Sequence, residues 1–75
     1  MPPVESALRY VEFMGGAEAI LHKASESMQR GEYRWVAEVL NHLVFALPDN
    51  DAALQMLAYA YRQLGYQAAS GPWRD

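Results

Sequence analysis

The sequence predicts an all-α fold: about four helices packed as antiparallel hairpins in a single domain spanning residues 1–75. Three observations carry that expectation. Apolar residues recur at spacings of three and four, the period that gathers them on one face of an α-helix. Gly15-Gly16, Gly31, Pro48, Gly65 and Gly71-Pro72 cut the chain into segments of helical length. The connections between those segments are short, which favours antiparallel neighbours.

Pro2 and Pro3 suit a helix start, because the N–H groups of a first turn have no intrahelical partner. Val4, Ala7, Leu8, Val11 and Met14 then share a stripe, with Glu5, Ser6, Arg9 and Glu12 opposite. Gly15-Gly16 ends this helix at little steric cost. A second helix places Ala17, Ile20, Leu21, Ala24 and Met28 on one face, leaves Glu18, Lys23, Glu26 and Arg30 outside, and closes at Gly31. The third has the strongest pattern, Val36, Val39, Leu40, Leu43, Val44 and Leu47, and Pro48 ends it. The fourth opens at Asp49-Asn50-Asp51, whose side-chain oxygens can accept from first-turn N–H groups. It stripes Ala53, Met56, Leu57, Ala60, Tyr61 and Leu64 and is expected to stop at Gly65, leaving at most a short turn of helix beyond.

Gly31 and Gly65 are 34 residues apart, which is the tetratricopeptide period of two helices plus two turns. Gly31-Glu32-Tyr33 falls between helices, Pro48-Asp49-Asn50 closes a unit, and Ala24 and Ala58 occupy matching helix-crossing positions. One full unit, residues 17–50, and half of another are covered, whereas stable arrays need about three. The period therefore reads as TPR-like hairpin architecture. A TPR-like peptide- or protein-binding adaptor is the alternative function.

Composition narrows the function classes. The 75 residues carry a net charge of −3, and the six Lys/Arg are scattered singly, which argues against a nucleic-acid partner. The absence of cysteine leaves no disulfide framework and no thiolate metal site. No apolar run approaches the ~18 residues of a membrane span. The N-terminus lacks the basic-then-apolar order of a signal peptide. Yet 52% of the chain is hydrophobic, including two Trp, five Tyr and two Phe. A body this small buries only about 60% of its unfolded surface, so part of that apolar content is expected to face a partner.

Chemistry-bearing constellations are sparse. His22 and His42 each follow a glutamate by four residues, Glu18 and Glu38, so each pair shares a helical face. Such a pair can supply two metal ligands, or it can be an i, i+4 pair on a solvated face. A ligand-binding enzyme using Glu38 and His42 is therefore a third reading, although no HExxH accompanies either histidine. Gly15-Gly16 before a helix can cradle an anion, but an inter-helix turn is the plainer reading. Asp49 and Asp51 look like caps. No catalytic, cofactor-binding or metal-ligating residue is assigned, and no cofactor is expected in this chain.

The aromatics stand out. Tyr10 and Phe13 fall off the main stripe of the first helix, Trp35 and Phe45 off that of the third, and Tyr59 off that of the fourth. A helix apolar on two sides is buried on two sides. Val39, Leu40, Leu43 and Leu57 are assigned to the core. Tyr10, Phe13, Met14, Trp35, Phe45 and Trp73 form a candidate interface, since large aromatics at a buried seam are the usual anchors. Removing the ring of Trp35 or Phe45 is expected to cost about 3–5 kcal/mol where that ring is buried.

Longer strings add a resemblance. VEFMGGAEAI at residues 11–20 and GEYRWVAEVLNHLVF at 31–45, with Pro48-Asp49-Asn50, Leu64-Gly65-Tyr66-Gln67-Ala68 and Ser70-Gly71-Pro72-Trp73-Arg74, are similar to the dimerisation domain of the alkyl sulfatases (alkyl/aryl-sulfatases). The resemblance covers nearly the whole chain. It implies a bacterial enzyme family in which a metallo-β-lactamase-type domain precedes this one and a sterol-carrier-like domain follows. The preceding domain would bind a pair of zinc ions through an HxHxDH motif and hydrolyse alkyl sulfate esters. No position here matches that motif, so no zinc ligand carries over. What carries over is a non-catalytic homodimerisation role, on the matching strings Tyr10–Met14 and Tyr33–Phe45, beside a flanking catalytic domain. The family usually has Asn where this chain has Asp75 and continues beyond it, so the chain is expected to be an excised domain, a truncated reading frame or a stand-alone relic.

Overall fold

A computed structural model describes the backbone of residues 3–70 and the side chains of residues 4–66. Four α-helices follow in order: α1 (Pro3–Phe13), α2 (Ala17–Gln29), α3 (Tyr33–Ala46) and α4 (Asp51–Ser70). No strand occurs among the described residues. Helix α3 is central: α1, α2 and α4 all pack on it, whereas α1 and α4 scarcely touch.

Its sequence explains that position. Val36, Leu40 and Leu43 repeat at spacings of four and three and are the largest fully buried side chains. Around them close Val11 from α1, Ile20 and Ala24 from α2, and Ala53, Leu57 and Ala60 from α4. Ala37 and Ala46 on α3, with Ala53 and Ala60 on α4, keep buried positions small and allow the helix backbones to approach closely. Val39 is only partly buried, at the edge of this cluster.

Both glycine turns are Schellman caps, in which the two residues after the helix donate back to its last carbonyls. After α1, the Gly15 N–H donates to the Glu12 carbonyl and that of Gly16 to Val11. After α2, the Gly31 N–H donates to Met28 and that of Glu32 to Ser27. The α2–α3 turn is tied further by Arg30, whose guanidinium donates to Ser27 Oγ at 3.0 Å and to the Glu32 carboxylate at 3.2 and 3.3 Å. These bonds hold the exposed Glu32 carboxyl below its ordinary range. At the start of α4, Asn50 Oδ1 accepts from the Ala53 N–H at 3.0 Å, the N-cap bond its residue type suggests.

Several expectations need correction. Helix α4 does not stop at Gly65 but runs on to Ser70. A glycine inside a helix costs only about 1 kcal/mol relative to alanine, and Leu64, Gln67, Ala68 and Ala69 are helix formers on either side. Gly31 therefore sits in a turn with φ +79° while Gly65 is helical. Ala24 is buried and Ala58 exposed. The 34-residue offset does not mark equivalent positions. The α1 stripe is also less covered than its pattern suggests: only Val11 is buried, and Val4, Leu8 and Met14 remain exposed. Tyr61 lies at the flank of α4, its hydroxyl accepting from Asn41 Nδ2 at 2.7 Å.

Candidate functional site

Because α3 turns Leu40 inward, the residues on its far side point away from the core. Trp35, Glu38, His42 and Phe45, spaced three, four and three, form that far side, and all four are exposed. Helix α1 lies alongside and adds Tyr10 and Met14. Between the two helices runs a groove of about 520 Å³, floored by Ala7, Val11, Ile20, Val39 and Leu43. Phe13 stands on the crest of α1, and at 91% exposure it is the most solvated large apolar side chain described. It shares a shallow hollow with Ser6, Arg9, Tyr10 and Glu12, and Ser6 and Tyr10 also line the groove, so the two surfaces are continuous.

Five of the six candidate interface residues are thus brought to one face: Tyr10, Met14, Trp35 and Phe45 in the groove and Phe13 at its rim. Trp73 lies outside the described residues. Sequence reasoning missed that Glu38 and His42 belong to this face. Its 3-4-3 spacing with Trp35 and Phe45 was the available signal, obscured because polar residues were scored as solvated. Neither side chain enters a hydrogen bond or ion pair among the described residues.

His22 Nδ1 lies 3.9 Å from Glu26 Oε2, one turn on, in place of the expected Glu18, and both side chains are mostly solvated. Among the described residues no three His, Cys, Asp or Glu side chains converge where they would hold a metal ion. At the α1–α2 turn the Gly15 and Gly16 N–H groups are spent on the Schellman cap, which leaves neither free for an anion.

A second apolar surface lies on α4. There Tyr59 is half-exposed beneath the Arg62 guanidinium, 5.9 Å from its ring centroid, beside Met28 and Met56. No described helix is long and apolar enough to cross a membrane.

The whole chain, residues 1–75, matches the family described as alkyl sulfatase dimerisation. The chain belongs to that family. This alkyl sulfatase dimerisation chain is 61% identical over 75 residues to a linear primary-alkylsulfatase of Pseudomonas sp., covering all of itself and 11% of that protein. It is 52% identical to the alkyl/aryl-sulfatase BDS1 of Saccharomyces cerevisiae, again over its full length and 12% of the relative. A solved structure, the stereoselective inverting sec-alkylsulfatase Pisa1 from Pseudomonas sp., superposes with a TM-score of 0.81 at 51% identity, over 89% of this chain and 11% of that one. The chain therefore spans about a ninth of the length of these relatives, and its four helices have the architecture of the matching part of the solved enzyme.

Proposed function

We propose that this alkyl sulfatase dimerisation domain works by self-association, two copies closing over each other's α1–α3 face to form a homodimer. The observation that carries this reading is the continuous exposed surface of Tyr10, Phe13, Met14, Trp35 and Phe45 on one side of a single chain. Aromatic and methionine side chains are the types enriched at protein interfaces. Exposure of this order is costly for a free monomer and removed by a symmetric partner.

The domain contributes no catalytic group of its own. It acts within an alkyl-sulfatase-type hydrolase whose cleavage of alkyl sulfate esters is performed by a flanking catalytic domain. The zinc ions implied for that domain would be held by its own residues.

Light scattering after gel filtration, over a range of concentrations, tests the reading. A mass near twice 8.5 kDa is expected, falling towards a single chain for Phe13→Ser or Trp35→Ser. A folded monomer at every concentration overturns it.

A further inference from the structure

The outward face of α3 is self-complementary on reversal. Trp35 and Phe45 each lie five residues from Leu40, and Glu38 and His42 each lie two. At 100° per residue the four fall within an arc of about 80° centred opposite Leu40, which is completely buried. Turning the helix end over end about Leu40 therefore places Trp35 on Phe45 and Glu38 on His42. A two-fold interface requires this relation, since residue i must contact j while j contacts i.

We infer that the two copies meet along α3 in antiparallel register about Leu40, with Glu38 of each chain facing His42 of the partner subunit and Trp35 facing Phe45 of the partner subunit. This rests on the homodimer reading above and deepens it by fixing which residues meet. Each pairing is chemically matched. A carboxylate accepts from an imidazole N–H whichever ring nitrogen carries the proton, and an aromatic ring meets an aromatic ring. The parallel register would instead stack Glu38 on Glu38 and His42 on His42, placing two carboxylates together in a desolvated seam.

Size agrees with chemistry along the helix. The polar pair sits beside the crossing point, where the axes are closest. The rings lie about 7.5 Å along the axis on either side, where crossed helices diverge and bulky side chains fit. The register also supplies partners for Glu38 and His42, which have none among the described residues. Burying either alone would leave an unsatisfied polar group, whereas burying one against the other satisfies both.

Mixing two single variants of the full chain, E38K and H42E, tests whether residues 38 and 42 lie in the seam, and cysteine cross-linking then separates the antiparallel from the parallel register. In the E38K homodimer two basic groups face each other, and in the H42E homodimer two carboxylates do. In the mixed dimer every basic group faces a carboxylate. Any penalty within one chain is identical in homo- and heterodimer and cancels. Each variant alone is expected to dimerise about tenfold or more weakly than the wild type, and native mass spectrometry of the mixture should show heterodimer well above the random share. A wild-type dimer with random assortment in the mixture overturns the register and leaves the dimer reading standing. A wild-type monomer overturns both. A second measurement does not depend on charge: because the chain has no native cysteine, E38C mixed with H42C should form the mixed disulfide faster than either like-with-like disulfide. The reverse order overturns the register.

Discussion

Leu40 and Trp35 sit on the same helix, yet different surroundings hold them. Leu40 is at 0% exposure with neighbours from several helices, so Leu40→Ala leaves a cavity that a chain this small cannot collapse around. The expected cost is about 2–5 kcal/mol, a large share of the stability of a small domain. Trp35 is 55% exposed in the single chain, so its ring is only half supported by its own fold. The 3–5 kcal/mol expected from sequence therefore belongs chiefly to the dimer. Urea denaturation at a concentration where the chain is monomeric should show Leu40→Ala severely destabilised and Trp35→Ala affected by about 1 kcal/mol or less. A Trp35→Ala loss equal to that of Leu40→Ala would return the ring to the core.

At the scale of helices, two glycines of similar appearance in the sequence have opposite roles. Gly16 caps α2 at φ +94°, ψ +170°, a region open almost only to glycine. Gly65 is helical, and nothing lies within 4 Å of the position a Cβ would take. Gly16→Ala should cost about 1–3 kcal/mol through backbone strain, whereas Gly65→Ala should stabilise by about 0.5–1 kcal/mol by restricting the unfolded chain and favouring helix. Thermal melts that moved both variants in the same direction would contradict this assignment. The same pair shows where pattern reading works and where it fails. The helix starts, the Gly15 and Gly31 stops and the α3 core stripe were legible because local hydrogen-bonding needs and a 3.6-residue period dictate them. The fate of Gly65 was not, because a penalty of about 1 kcal/mol is outweighed by good helix formers on both sides. Of the off-stripe aromatics, Tyr10, Trp35 and Phe45 line the groove, whereas Phe13 stands at its rim and Tyr59 lies on α4. That Glu38 and His42 share this face with the rings was not legible, because a polar residue on a helix reads as solvated until the neighbouring helix is in place.

The molecule as a whole is looser than its length requires. A compact 75-residue domain has a radius of gyration of about 11 Å, and a monomer of this mass exposes roughly 4,700 Å². This chain has 13.6 Å and 5442 Å². Large apolar side chains, Tyr10, Phe13, Met14, Trp35 and Phe45 among them, are left exposed in the single chain, so folding and association should be coupled. For a dimer that unfolds to two chains, a tenfold rise in concentration favours the native state by about 1.4 kcal/mol of dimer, or about 0.7 kcal/mol per chain. For a chain of this size that shifts Tm by roughly 3–6 °C. Calorimetry of the wild type should show this rise with concentration, and Trp35→Ala should flatten it while leaving the dilute-limit Tm nearly in place. A wild-type Tm independent of concentration would mean that the α1–α3 face gains nothing from a second copy. The surplus surface would then have to be covered by another part of the parent enzyme.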